Sequence, residues 1–205
     1  MAPAPGNLFV IAAPSGAGKT SLTRALLERD PSILLSVSYT TRPPRSGEVD
    51  GVAYHFVTPE RFRELKDSGE FLEHAQVHGN WYATSATWLQ AQISAGRDVL
   101  LEIDWQGAAQ VRRIIAGSVH VFILPPSLAS LEERLVRRGQ DDELTIARRL
   151  MAAREEMRHC GDFDYVIINQ DFASAVDDLS AIVRASRLRS AVQAVRYRTL
   201  LTQLV

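Results

Sequence analysis

Residues 8–20 constrain this chain more than any other stretch. Leu8-Phe9-Val10-Ile11-Ala12 is a short apolar run, partly β-branched, of the kind that forms a buried strand. It leads directly into Ala13-Pro14-Ser15-Gly16-Ala17-Gly18-Lys19-Thr20, after which Leu22, Ala25, Leu26 and Leu27 recur at helical spacing up to Pro31. A strand, a glycine turn and a helix in that order is the setting of a phosphate-binding loop. The glycines let backbone N–H groups turn inward on an anion, and the helix N-terminus adds positive potential. In this reading Lys19 reaches the β- and γ-phosphates of a nucleotide, and the Thr20 hydroxyl ligates Mg²⁺. The first position of G-x-x-x-x-G-K-[ST] is Ala13 rather than Gly, a departure that leaves Gly16, Gly18, Lys19 and Thr20 in place. The simpler alternative is an ordinary strand-to-helix turn with a chance lysine.

Composition weighs against chance. Of the 23 basic residues only two, Lys19 and Lys66, are lysine; the other 21 are arginine. Codon bias explains the excess of arginine, but one of two lysines falls in the loop. The 24 acidic residues bring the net charge to −1, which excludes binding nucleic acid or an acidic membrane through bulk positive charge. With 205 residues, 46% of them apolar, the chain can bury one substantial core. A single cysteine, Cys160, permits no internal disulfide and suggests a reducing compartment. The N-terminus has no basic region of a signal peptide, and there is no apolar run of about 18 residues to span a membrane. A cytoplasmic address is expected.

Apolar strands alternate with helices over most of the chain, so the fold class is α/β with a parallel central sheet. Further strands are expected at 33–37, 99–104, 119–124 and 165–168. Helices are expected at about 85–95, 108–115, from 128, at 143–159, and from 172 to the end. The segment from about 40 to 84 breaks the rhythm: a proline- and glycine-bearing loop, short strands at 54–57, 71–77 and 81–83, and a helix begun by Thr58-Pro59-Glu60. It reads as an insertion over the sheet. Residues 137–142, Arg-Arg-Gly-Gln-Asp-Asp, read as a charged, flexible break.

A phosphate loop alone does not fix a reaction. Asp104-Trp105-Gln106-Gly107 matches the D-x-x-G of GTPases, but their guanine-reading N-K-x-D needs a further loop lysine, and Lys66 sits in a helix after Leu65. In the insertion, Arg42 and Arg45 lie three apart on a segment stiffened by Pro43 and Pro44. Two guanidinium forks at fixed spacing suit a phosphate monoester, to which Tyr54 and Tyr82 could also donate. Glu73 lies within the apolar stretch Phe71–Ala75. A carboxylate can accept from both N1–H and N2–H of guanine, a donor pair that adenine lacks. Solvated arginines and an edge-strand charge are the plain alternatives. The five histidines show no metal-ligand spacing.

Together these residues carry a resemblance. Thr41-Arg42-Pro43-Pro44-Arg45 with Gly47-Glu48 and Gly51, Tyr54 and Phe56, Glu70-Phe71-Leu72-Glu73, Gly79-Asn80-Trp81-Tyr82, Glu102 to Gly107, Pro125-Pro126-Ser127 and Arg138-Gly139 keep the order and spacing of guanylate kinase from about residue 8 to 184. The chain resembles that family of nucleoside-monophosphate kinases. The resemblance implies a phosphate-loop three-layer fold with a core at about 7–37, 85–136 and 160–205, a mixed α/β GMP-binding insertion at about 38–84 and a helical lid at about 137–159. It implies transfer of the γ-phosphoryl of ATP to GMP, and to dGMP, with Mg²⁺. Carried over by position, Ser38, Glu73, Thr84 and Asp104 face guanine, and Arg42, Arg45, Tyr54 and Tyr82 hold the GMP phosphate. Residues 13–20, Arg134, Arg138 and Asn169 contact ATP, Asn169 near the adenine. Lys19, Arg42, Arg138 and Arg149 stabilise the transferring group. The implied partners are ATP and GMP, with no nucleic acid or membrane, for a monomer or homodimer. The departures are Ala13, Glu102 where Asp is frequent, Ala83 where Gly is common, and Gln170. A non-catalytic scaffold that grips a phosphorylated partner through the GMP side is the alternative, although such domains typically lack an intact phosphate loop. The arginine-rich tail from Arg184 to Arg198 reads as the solvated face of a terminal helix.

Overall fold

A computed structural model describes residues 4–77, 79–137 and 142–204. Arg138, and with it most of the 137–142 break, lies outside the described residues.

The central sheet is built on β1 (Leu8–Ala12), whose five residues are all buried. Its neighbours are β7 (Asp98–Glu102) and β8 (Val119–Leu124), with β2 (Ile33–Leu35) and β9 (Tyr165–Ile168) at the edges, in the order β2-β7-β1-β8-β9. Every pairing is parallel. The three central strands read as continuous apolar runs because both faces are covered, while the edge strands β2 and β9 are partly exposed. Phe9, Ile11 and Leu100 meet α1 (Lys19–Arg29) and α7 (Phe172–Arg187) through Leu22, Leu26, Val176 and Leu179. Leu8, Val10, Val99 and Leu101 face the other way, onto Leu89 of α3 (Ala86–Ser94) and Val111 of α4 (Trp105–Ile114). Burying each such side chain contributes about 1.5–3 kcal/mol. Residues that follow the carboxyl ends of these strands are gathered at one edge of the sheet, where open α/β sheets bind ligands.

Residues 39–85 form a second, four-stranded sheet in the order β4-β3-β6-β5: β3 (Tyr39–Thr40), β4 (His55–Phe56), β5 (Phe71–Val77) and β6 (Asn80–Ser85). Its pairings are antiparallel except β3 with β4. The helix α2 (Pro59–Asp67) begins as the sequence predicts, with Pro59 at its first position and the Thr58 hydroxyl accepting from the Arg61 N–H at 3.2 Å. Its Phe62 is buried against Phe71 and Trp81.

Several boundaries differ from expectation. The strand expected at 99–104 ends at Glu102, the one at 33–37 ends at Leu35, and β3 lies where no strand is expected. The helix α4 starts at Trp105, not 108, because Asp104 caps it and accepts from the Gly107 N–H at 2.9 Å. The strand β6 runs on through Thr84 and Ser85. After α5 (Leu128–Arg137), α6 (Glu143–Met157) gives way to a 3₁₀ turn over Arg158–Asp162. The expected single terminal helix is three: α7, α8 (Ser190–Arg196) and α9 (Arg198–Leu204). No glycine or proline marks the first break. Instead Arg187 reaches Asp98 and Asp30, each at 2.6 Å, and its carbonyl accepts from Gln193 Nε2 at 2.7 Å. These tertiary partners end the helix where propensity would continue it.

Candidate functional site

The loop between β1 and α1 shows why its glycines are needed. Gly16 and Gly18 have φ of 92° and 100°, a region that favours glycine. A Cβ on Gly18 would run into Asn169 Nδ2, and one on Gly16 would press on Leu131 of α5 at 2.9 Å. No side chain caps α1. Its first N–H groups are therefore left for an anion. Ala13, the departure from the motif, packs on the core as a partly buried residue.

Two predicted ATP contacts hold the loop from the side. Asn169, which is buried, donates Nδ2 to the Ala17 carbonyl at 2.8 Å. Arg134 donates to that same carbonyl at 3.2 Å and to the Asn169 carbonyl at 3.1 Å. Both line a groove with Gly16, Gly18, Ser21, Gln170 and Phe172. Arg149 lies on α6, half buried and engaged with neighbours.

Lys19 is the electrostatic centre. Its Nζ donates to the Ile103 carbonyl at 3.1 Å. Burial pushes its pKa down, opposed by Glu102, Asp104, Glu156 and Glu73 around it. Of these, Glu156 has no counterpart in the sequence reading. It projects from α6 into the cavity lined by residues 13–16 and 18–21. Burial and Asp104 raise its pKa, while Lys19 and the Ser15 N–H favour its charged form. Only the folding of α6 back onto the loop reveals it. Glu102, on which the sequence reading assigned no contact, has Oε1 buried without a hydrogen-bond partner.

A cavity of about 530 Å³ lies between the two sheets. Its wall includes Lys19, Thr20, Glu102 and Asp104 from the core and Ser38, Arg42, Arg45, Tyr54, Glu73 and Tyr82 from the second sheet. Thr84 stands just behind, fully buried, its hydroxyl donating to Glu73 Oε1 at 2.7 Å. Burial raises the Glu73 pKa to about 7; the Thr84 hydrogen bond works against the rise and Asp104 adds to it. A Cβ on Gly107 would collide with Glu73 Oε2, so the carboxylate rests on bare backbone. Asp104 is committed at both oxygens, to the Gly107 N–H and to Gln106 Nε2 at 3.1 Å.

The arginines are not solvated alike. Arg45 is exposed, while Arg42 is largely covered and bridges to Glu48 Oε1 at 2.8 Å. Glu48 also accepts from the Arg45 N–H at 2.7 Å. The Glu48 carboxylate raises the Arg42 pKa, and Tyr82 adds to it. The Arg42 guanidinium lies 5.3 Å from the centre of the Tyr54 ring, a cation–π contact. Glu48 thus neutralises Arg42 at the cavity wall, a pairing that sequence spacing alone does not indicate.

The sequence and the fold have counterparts among known proteins. The guanylate kinase family model matches residues 5–186. The chain is 64% identical over 193 residues to a guanylate kinase of Aromatoleum aromaticum, covering 94% of this chain and 95% of that one. It is 58% identical over 200 residues to one of Methylobacillus flagellatus, covering 98% and 99%. The crystal structure of a guanylate kinase from Anaplasma phagocytophilum, 36% identical, superposes with a TM-score of 0.80 over 98% of this chain and 96% of that one. With likeness of this extent in sequence and in fold, the chain belongs to the guanylate kinase family of enzymes.

Proposed function

We propose that the chain transfers the γ-phosphoryl group of ATP to GMP, and to dGMP, giving ADP and GDP by direct in-line transfer. One observation supports this most. Lys19, Thr20 and Asp104 belong both to the cavity of the phosphate loop and to the cavity holding Glu73 and the arginines. A donor phosphate seated on the loop and an acceptor held by Arg42 would meet at that shared wall.

In this reading residues 38–84 are the GMP-binding insertion and 137–159 the lid. Glu73 accepts the guanine N1–H and N2–H, with Thr84, Ser38 and Asp104 beside it. Arg42, Arg45, Tyr54 and Tyr82 hold the phosphate. GMP must share or displace Glu48 on Arg42. The acceptor phosphate has a second pKa of about 6, so it is already a nucleophile near neutral pH and needs no general base. The barrier is electrostatic, since two anions must be brought into line. Loop N–H groups, Lys19, Arg149 and Arg138 supply the compensating charge, and closing of the lid excludes water. Asn169 and Arg134 shape the adenine side of the loop.

The residues fit Mg²⁺. Among the described residues no group of three or more His, Cys, Asp or Glu could hold a metal by itself. A phosphate-borne Mg²⁺ needs only the Thr20 hydroxyl and waters, and the unpartnered Glu102 Oε1 lines the same cavity as Thr20. The ion, held by the Thr20 hydroxyl with the ATP phosphates, would supply positive charge against the charge of the transferring group. No helix among the described residues is long and apolar enough to cross a membrane. We place the reaction in the cytoplasm, where it would return GMP to the guanine nucleotide pool.

The deciding experiment is coupled detection of ADP from the purified chain with ATP, Mg²⁺ and each nucleoside monophosphate. ADP release that depends on GMP and is absent with AMP is expected. No release, together with binding of a phosphopeptide, would favour the scaffold alternative.

A further inference from the structure

The strand β5 carries Glu73, but among the described residues it is the edge of its sheet, paired only with β6. Its register also shifts: Phe71 faces Ser85, whereas Glu73 faces Thr84, leaving Leu72 as the extra residue of a bulge. Bulges re-aim side chains, and a one-residue slip in a strand moves every side chain to the opposite face. Here the bulge places Glu73 and Ala75 on the buried side. The orientation of the carboxylate therefore depends on something that holds β5 just beyond the bulge.

Gln110 of α4 does this. Its Nε2 donates to the His74 carbonyl at 2.8 Å, and its Oε1 accepts from the His74 N–H at 3.2 Å. The side-chain amide thus pairs with His74 as a neighbouring strand would, on the edge that no strand occupies. A primary amide is suited to this because it presents a donor and an acceptor side by side, as a peptide group does. The residues of α4 that serve this edge recur every three positions. Asp104 caps the helix, Gly107 gives Glu73 Oε2 room to approach, and Gln110 fastens the next residue of the strand. Residues three apart on a helix are neighbours on its surface.

We propose that Gln110 is a positioning residue for guanine recognition: it locks the register of β5 after the bulge and so sets Glu73 at a fixed place beside Asp104. This rests on the reading of the cavity as a GMP site. Gln110 touches neither phosphate site, so its effect is confined to the acceptor base.

The test is steady-state kinetics of Gln110→Leu, which keeps bulk and removes both hydrogen bonds, and of Gln110→Glu, which keeps the acceptor and loses the donor. In each, the KM for GMP is expected to rise about tenfold, with kcat at saturating GMP and the KM for ATP within about twofold of wild type. The preference in kcat/KM for GMP over IMP, whose base lacks the 2-amino group, should fall about fivefold or more. Hydrogen exchange at the His74 amide should accelerate in Gln110→Leu. A GMP KM within twofold of wild type, or an equal rise in the KM for ATP, overturns the proposal. If Gln110→Leu does not fold, Gln110→Glu is judged by the same thresholds. Failure of the GMP reading itself would show in the wild-type chain, as no ADP release with GMP.

Discussion

The two regions proposed to meet phosphate, the loop after β1 and the wall of the second sheet, are built on opposite plans. The loop after β1 offers backbone: two glycines at positive φ, an uncapped helix start, and one lysine among four carboxylates. The second sheet offers side chains: Arg42 neutralised by Glu48, exposed Arg45, and a buried carboxylate held by Thr84. A loop made of consecutive residues can meet a phosphate through its own backbone N–H groups, whatever the phosphate belongs to. A pocket assembled from Ser38, Arg42, Tyr54, Glu73 and Tyr82 can select a base, but each group depends on a different contact. On the proposed reading generality and selectivity are separated between the two cavities, which share Lys19, Thr20 and Asp104 in their walls.

The comparison breaks first at Lys19. Lys19→Ala should lower kcat by on the order of 10³-fold or more, whichever acceptor is used, because it removes charge from the transferring group. A wild-type rate in the coupled ADP assay would show that the backbone of the loop suffices without the lysine.

Glu73→Gln should act on one side only. The KM for GMP is expected to rise roughly 10²-fold, since an amide cannot accept from both guanine donors, with the KM for ATP little changed. The same variant should be more stable in the absence of nucleotide. The folded pKa of Glu73, about 7, lies above its unfolded value. Its stabilising effect is full below the unfolded pKa and is lost as pH rises through 7. Above that pH, Glu73→Gln should gain on the order of 2–3 kcal/mol in denaturant unfolding over the buried carboxylate.

A smaller effect comes from pH alone. On the proposed reading guanine needs ionised Glu73, so in wild type the KM for GMP should rise about tenfold per unit as pH falls below 7. In Glu73→Gln this portion of the profile should flatten, leaving the second ionisation of the GMP phosphate near pH 6. A parallel profile for the KM of ATP would mean that the titrating group serves both regions.

The smallest effect should follow Lys66→Ala. Lys66 lies 5.6 Å from the Trp81 ring, on the outside of the second sheet. Removing it should change stability by less than about 1 kcal/mol and leave both KM values in place. Such a result would show that the two lysines of the chain are not interchangeable.

Legibility in the sequence followed the same division. The strand, loop and helix from Leu8 to Arg29 could be read directly because their signals are contiguous. So could α2, whose start is written in Thr58 and Pro59. Within the second sheet, Arg42 and Glu73 could be singled out by residue type, but their surroundings could not. The pairing of Arg42 with Glu48, the bulge at Leu72 and the grip of Gln110 on His74, 36 residues away, carry no local mark. The break after Arg187 carries no local mark either, since its cause lies at Asp30 and Asp98.

The sequence by itself determined the α/β class, the phosphate loop and the residue types able to meet phosphate and guanine, because periodicity, glycine and charge act over a few neighbouring residues. The tertiary structure decided the rest. It buried Glu73 and raised its pKa, brought Glu156 of α6 to the loop, paired Arg42 with Glu48 and set two sheets around Lys19. Desolvation and long-range hydrogen bonds exist only once distant segments are packed together, so they leave no trace in the spacing of residues along the chain.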